Sequence, residues 1–239
     1  MEIYYFDELA STSQTTAAAA KNGASHLYTV VAKRQIAGRG RLDRSFFSPE
    51  GGLYFSTVLR TALTLSQYGA ITPFAGVAVC RAIKRLCGVT PTVKWVNDLL
   101  LDGKKICGIL AESGTDKYGQ PYVILGIGIN TGECEFPPEL SHIAGHLPCA
   151  CKEELLREIL KELSNVEQGV LSASWVEEYR ENSAVIGKEI TVSENKNTYT
   201  ATATDILPSG ALCVRLSDGT EKTLYGQEIT LRLSPNAKK

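Results

Sequence analysis

Three clusters along the chain combine residue types and spacing suited to chemistry. The first is Gly38-Arg39-Gly40-Arg41, preceded by Lys33, Arg34 and Gln35 and followed by Arg44. Glycines let main-chain N–H groups approach a ligand closely, and arginines offer rigid cationic forks for phosphate or carboxylate. By itself this composition fits an anion site, a solvated basic loop or a nucleic-acid patch. The second cluster is Lys94-Trp95-Val96-Asn97-Asp98, then Lys104-Lys105-Ile106-Cys107-Gly108. A lysine inside an apolar strand is rare unless paired, so Lys94 serves one face or lies at a sheet edge. Asn97 and Asp98 suit the orientation of a metal–phosphate group, and Gly108 withholds a side chain where something must fit. A plain surface hairpin is the alternative. The third cluster is Gly126-Ile127-Gly128-Ile129-Asn130. It lacks the third glycine and the helix of a dinucleotide fingerprint. Its best physical reading is a strand on which a flat ligand packs closely.

The elements that must hold these clusters follow from local pattern. A short strand at 2–6 precedes an alanine-rich helix, which is cheap to form. Ser11 with Gln14 has capping-box spacing, and Gly23 is a plausible stop. Segments 27–35 and 51–60 read as strands, rich in β-branched and aromatic residues. The stretch between them is a loop too long for an ordinary hairpin, and such loops are usually functional. Thr72-Pro73 suits the start of a second helix that Gly88 ends. Asp102-Gly103 marks a hairpin turn, and 122–130 reads as a strand buried on both faces. Leu155, Leu156, Ile159, Leu160, Leu163 and Val166 form one helical stripe over 152–170, read as core. A short helix around Trp175 to Arg180 follows. From Ala184 to Leu233 the chain becomes short strands and turns, the pattern of a small β-barrel. The expected division is 1–183 and 184–239.

The 239 residues carry 44% hydrophobic and 21% charged side chains with a formal net charge of -1. That is ordinary for a globular protein and gives no electrostatic reason to expect a nucleic-acid or membrane surface. No apolar run approaches ~20 residues, and the start is not a signal peptide. Seven cysteines without framework spacing point to a reducing compartment, so a cytoplasmic location is expected.

Taken together and in this order, the motifs resemble the biotin protein ligases. The resemblance rests on Ser11 to Gln14, Gln35 to Arg41, Lys94 to Asp98, Lys105 to Gly108, Gly126 to Asn130, and a closing element at 226–232. It covers nearly the whole chain. It implies an α+β fold, a mixed sheet flanked by helices in a class II synthetase-like catalytic domain, with a small C-terminal SH3-like β-barrel. It implies ATP and biotin as substrates with Mg²⁺, formation of biotinyl-5′-AMP, and transfer of biotin to a lysine of a biotin carboxyl carrier domain, such as that of acetyl-CoA carboxylase. By the same resemblance, Lys105, Arg41 and Arg39 are catalytic. Ser11, Thr12, Ser13 and Gln35 hold the ureido ring, Gly38 lies on the biotin side, and the main chain at Arg39 and Gly40 holds either the ureido group or the adenylate. Lys105 and Arg41 also meet the biotin carboxylate. Gly108, Gly126 and Gly128 floor the pocket. Arg39, Arg41, Phe46, Lys94, Trp95, Asn97, Asp98, Asn130 and Arg232 form the ATP side, and Glu228 joins Arg232 in closing over nucleotide or carrier. A homodimer is plausible on the same ground.

The chain departs from the family pattern at Asp43, usually glycine, at Phe46, usually a tryptophan stacking near adenine, and at Val96, usually proline. The motifs begin at Ser11, so no N-terminal DNA-binding module and no specific DNA binding are expected. Three other readings compete. A lipoate- or octanoate-protein ligase shares the fold but needs no polar partners for a ureido ring. A nucleic-acid-binding protein would need more basic residues interleaved with aromatics. Cys134, His142, His146, Cys149 and Cys151 lie close in sequence, but their spacing matches no closed zinc site, so no metal centre is expected.

Overall fold

In the computed structural model of the protein, residues 1–132, 134–148, 151–194, 197–226 and 229–233 are described. A seven-stranded mixed sheet is built from β1 (Glu2–Leu9), β2 (Tyr28–Gln35), β3 (Leu53–Leu59), β4 (Thr92–Lys94), β5 (Asp98–Leu101), β6 (Lys104–Thr115) and β7 (Pro121–Ile129), in the order β1-β2-β3-β7-β6-β5-β4. The β1–β2 pair is parallel and every other pair is antiparallel. Helix α1 (Thr12–Lys21) packs over β2, β3 and β7. Helices α2 (Ile71–Cys87), α4 (Lys152–Leu163), α5 (Val166–Ser172) and α6 (Trp175–Glu181) gather around α2, and α3 is a single turn, Pro138–Ser141. A second sheet, β8 (Glu189–Glu194), β9 (Asn197–Ile206), β10 (Leu212–Arg215), β11 (Glu221–Leu224) and β12 (Ile229–Leu233), is antiparallel throughout in the order β11-β10-β9-β8-β12. This is the expected α+β architecture with its small SH3-like unit.

Local chemistry explains most boundaries. Gly23, at φ +98, ends α1 in a Schellman arrangement, with Gly23 N–H donating to Ala20 O and Ala24 N–H to Ala19 O. Gly88, at φ +69, ends α2. The Asp102-Gly103 turn joins β5 to β6 as expected, with both residues at positive φ. β7 is buried along almost its whole length, and the next element after it is the single turn of α3, eight residues on.

Four expectations need correction. Ser11 is the N-cap of α1, but its hydroxyl makes no capping bond, so no capping box forms with Gln14. Helix α2 begins at Ile71, not at Thr72-Pro73, because a 3₁₀ turn, Leu65–Ala70, runs directly into it. The Gln67 side chain anchors that turn, accepting from the Thr64 N–H at 2.8 Å. The stripe over 152–170 is two helices. Ser164 bonds back to the Lys161 carbonyl and Asn165 leaves helical geometry at φ −113, the local competition that serine and asparagine offer to a helix. All six residues of the stripe are nonetheless buried. Finally, the glycine-arginine segment is a bridged hairpin. Gln35 pairs with Ser48 and Arg39 with Ser45, and Leu42 and Asp43 turn the tip at φ +56 and +55. Asp43 therefore occupies a left-handed position that glycine adopts at no cost and aspartate tolerates.

The two sheets meet at named contacts. The Trp95 indole Nε1 donates to the Gly210 carbonyl at 2.9 Å, and the Gly69–Ala70 backbone lies so close to Gly210 that a side chain there would strike it. The Trp95–Val96 peptide is cis.

Candidate active site

A cleft opens on the face of the large sheet that carries α1. Its floor is made by paired strands: Gly108 on β6 lies opposite Gly128 on β7, and Leu110 opposite Gly126. Period-two alternation sends all four to one face, so two of the three glycines, Gly126 and Gly128, sit side by side on β7 without side chains. The reason differs at each position. A Cβ on Gly128 would stand 2.5 Å from the Phe46 ring, one on Gly108 2.8 Å from the same ring, and one on Gly126 2.7 Å from Ser13 Oγ.

One wall is polar. Thr12 and Ser13, at the start of α1, and Gln35, at the end of β2, are brought together by the parallel β1–β2 pairing. The Thr12 N–H and hydroxyl both donate to Gln35 Oε1, at 2.8 and 3.1 Å. Gln35 Nε2 donates to Ser48 Oγ at 2.9 Å, and Ser48 donates to the Phe46 carbonyl. The opposite wall is cationic. Arg41, Lys94 and Lys105 border the cleft with Arg39 and Gly40, beside Asn97 and Asp98. Lys105 Nζ is 2.6 Å from Asp98 Oδ1 and 5.4 Å from the Phe46 ring centre. Its main chain is fixed from behind, where Asn130 Nδ2 and Gly145 N–H both donate to the Lys105 carbonyl. Arg41 donates to Asn97 Oδ1 at 3.2 Å and to the Gly226 carbonyl of the second sheet's segment. Burial pushes the Arg41 guanidinium pKa down, with Asp98 acting in the opposite direction. Arginine retains its charge under such a shift.

The structure therefore gathers Thr12, Ser13, Gln35, Arg39, Gly40, Arg41, Phe46, Lys94, Trp95, Asn97, Asp98, Lys105, Gly108, Gly126 and Gly128 around one cleft. Several assignments shift. Ser11, Gly38 and Asn130 do not border the cleft; they are buried behind it. The Ser11 hydroxyl and Asn130 Oδ1 are buried without a partner among the described residues. Gly38 is required by the hairpin, since a Cβ there would lie 2.3 Å from the Phe46 carbonyl. Trp95 edges the cleft but commits its indole N–H to Gly210, so its main work is joining the two sheets. Arg39 reaches away to pair with Glu112 at 2.9 Å. Phe46 lies on the glycine floor beside Lys105 instead of on a separate nucleotide surface. Of Arg232 only the backbone is described, paired with Thr191, and Glu228 lies outside the described residues.

Ser56 and Ser48 carry no role in the sequence reading; a Ser-Thr pair inside the buried strand β3 is the available signal for Ser56. Gly226 opens the closing element at 226–232, but its contact with Arg41 is made by its carbonyl, which leaves no side-chain signal. Among the described residues no three of His, Cys, Asp and Glu come together as a metal site. Cys134 is buried beside Tyr54, and His146 stacks on Phe136, while Cys149 lies outside the described residues. No described helix is long and apolar enough to cross a membrane.

Comparison with known proteins agrees with this geometry. Residues 6–130 match the biotin/lipoate A/B protein ligase family, and residues 185–232 match the biotin protein ligase C-terminal domain. The chain is 40% identical over 158 residues to the bifunctional ligase/repressor BirA of Bacillus subtilis, an alignment covering 65% of this chain and 49% of that protein. It thus spans about half the length of the first curated relatives it matches. It is 28% identical over 241 residues to the biotin–[acetyl-CoA-carboxylase] ligase of Mycobacterium tuberculosis, covering 95% of this chain and 89% of the relative. The biotin protein ligase of Aquifex aeolicus, solved with biotin and ATP, superposes with a TM-score of 0.81 at 27% identity, covering 98% of this chain and 99% of that one. The chain belongs to the biotin/lipoate A/B protein ligase family.

Proposed function

We propose that the protein is a biotin protein ligase that activates biotin with ATP and transfers it to a lysine of a biotin carboxyl carrier domain. The observation that carries this reading is the single cleft in which a hydroxyl–amide wall, a glycine floor and a cationic wall converge. A ureido ring offers both N–H donors and a carbonyl acceptor, and Thr12, Ser13 and Gln35 supply groups of both kinds. The flat rings lie over Gly126 and Gly128 once the Phe46 ring, which rests on Gly128 in this structure, moves aside, and the aliphatic tail runs toward Lys105. In the first step a biotin carboxylate oxygen forms a bond to the α-phosphorus, and the bond to the leaving pyrophosphate breaks. Two anions must approach, so cationic stabilisation dominates. Lys105 and Arg41 meet that charge, with Lys94 on the same wall. In the second step the neutral carrier lysine amine attacks the acyl carbon, AMP leaves with the electron pair of the anhydride bond, and the nitrogen gives up one proton to solvent as the amide forms. The glycine-arginine hairpin covers the cleft and excludes water that would hydrolyse the anhydride.

Asn97 and Asp98 do not make a metal cradle by themselves. Asp98 is held by Lys105, and Asn97 by Arg41 and the Ile109 carbonyl. Mg²⁺ would come with the ATP triphosphate, the usual mode for this ion, and Asp98 is the carboxylate of the cleft lining that could accept it. The carrier of a carboxylase is the proposed partner, in line with the names of the relatives. The boundary between catalytic and C-terminal domains is placed at about residue 183, and a homodimer belongs to the same proposal.

The sister activity, lipoate transfer, is disfavoured by the polar wall, which a lipoyl ring would leave unpaired. The test is incubation with ATP, Mg²⁺, biotin and an apo biotin carboxyl carrier domain, beside a tube with lipoate and an apo lipoyl domain. Biotin on the carrier lysine is expected. Lys105→Ala should lower the adenylation rate by roughly 10²–10³-fold, the scale for removing a transition-state charge partner. Transfer of lipoate alone would overturn the reading.

A further inference from the structure

Ser56 lies on β3 opposite Gly126, is 0% exposed, and does not border the cleft. Its hydroxyl is 2.8 Å from Thr12 Oγ1 and 3.1 Å from Ser13 Oγ. It is the only link that joins these two hydroxyls among the described contacts, and Gly126 leaves the space for it, since a Cβ there would stand 3.3 Å from Ser56 Oγ.

The Phe46 carbonyl only accepts, so Ser48 donates to it at 3.0 Å and accepts from Gln35 Nε2. That fixes the amide orientation and leaves Gln35 Oε1 as the acceptor for Thr12. A hydroxyl has one proton. Thr12 spends its proton on Gln35, so Thr12 accepts from Ser56. Ser56 spends its proton on Thr12, so Ser56 accepts from Ser13. The chain ends at Ser13 Oγ with lone pairs on the cleft side, and at Gln35 Nε2 with its second hydrogen. The wall presents one acceptor and one donor, the complement of an N–H beside a carbonyl.

We propose that Ser56 is a positioning residue for the ligand ring, setting which of the wall's hydroxyls accept and which donate without touching the ligand. This rests on the biotin-ligase reading and deepens it: the site selects a cyclic urea over a ring of the same size without one. Removing the hydroxyl takes away the acceptor for Ser13, whose proton then turns toward the cleft and faces the ligand N–H.

The test compares wild type, Ser56→Ala and Ser56→Cys by pyrophosphate release, with KM for biotin and ATP measured separately. Tm is recorded for each. In Ser56→Ala the biotin KM should rise about five- to tenfold, the scale of one lost hydrogen bond, with kcat and the ATP KM within about twofold. Ser56→Cys fills the site with a weak donor and should give an intermediate biotin KM; it carries the test if the alanine variant does not fold. 2-Iminobiotin keeps the ring N–H groups and replaces only the ureido oxygen, the atom that faces Gln35, so the preference for biotin over it should stay within about twofold of wild type in both variants. Equal change in the biotin and ATP KM values, or no change in either, overturns the assignment. A wild-type chain that does not release pyrophosphate with biotin overturns the function itself.

Discussion

Gly128→Ala is the sharpest probe of the glycine floor. The added methyl would lie 2.5, 2.8 and 3.2 Å from three atoms of the Phe46 ring, the first two closer than carbon atoms approach in real contacts. Two facts keep the fold intact. Gly128 does not sit at positive φ, so alanine suits its backbone and removes the entropic penalty of a glycine in a strand. Phe46 is half-buried on the hairpin, not locked in the core, so its ring can yield. The methyl then occupies the space where a planar ligand ring must lie. Overfilling a packed contact costs about 1–3 kcal/mol, which corresponds to a loss of roughly 5–150-fold in affinity. The assay is titration of biotin into Gly128→Ala by calorimetry, with Tm as the control. Weaker biotin binding with Tm near wild type is expected. The double variant Phe46→Ala/Gly128→Ala separates two causes: affinity stays low if the methyl meets the ligand and recovers if it only displaces Phe46. Biotin affinity within twofold of wild type in Gly128→Ala would refute the placement of the ligand on this floor.

Two further predictions concern stability. Trp95→Phe keeps an aromatic ring, though a smaller one, and leaves the Gly210 carbonyl without its indole donor; an unsatisfied buried acceptor costs about 1–3 kcal/mol, so Tm should fall by roughly 2–12 °C, and an unchanged Tm would remove this bond from the junction of the two sheets. Asp116 is the pH-sensitive case. Burial pushes its carboxyl pKa up, but the Gln120 and Tyr118 N–H groups and the Arg60 guanidinium outweigh it and hold the value below the usual range. A carboxylate with a lowered folded pKa stabilises above its unfolded value of about 3.9 and loses that contribution as pH falls through the folded value. Asp116→Asn should therefore lower Tm near pH 7, and the gap to wild type should close in strong acid; a gap independent of pH would refute the ionic origin.

Much of the site is legible in the amino-acid order. The glycine-arginine segment, the Lys94 to Asp98 run and the Gly126 to Asn130 strand each carry a residue type with few physical uses. Period two alone puts Gly126 and Gly128 on one face of their strand, but the register that sets Gly108 opposite Gly128 is fixed by the β6–β7 pairing. Helix stops at Gly23 and Gly88 are equally local, because positive φ is a property of one residue and its neighbours. The break at Ser164–Asn165 is less visible, since the apolar stripe continues across it and periodicity reads only the stripe.

Propensity, periodicity and residue chemistry specify most of the strands and helices and the inventory of charged, hydroxyl and glycine positions, but not the 3₁₀ turn before α2, the break at Ser164–Asn165 or the bridged glycine-arginine hairpin. Tertiary structure decided which of them meet. Parallel pairing of β1 with β2 brings Gln35 to Thr12, 23 positions away. The fold sends Arg39 outward to Glu112 and Arg41 inward to Asn97 and Gly226. It draws Trp95 to the second sheet and places Ser56 beneath the polar wall. Partners so distant in sequence are chosen by packing and by the demand that buried polar groups be satisfied, and neither leaves a mark in local spacing.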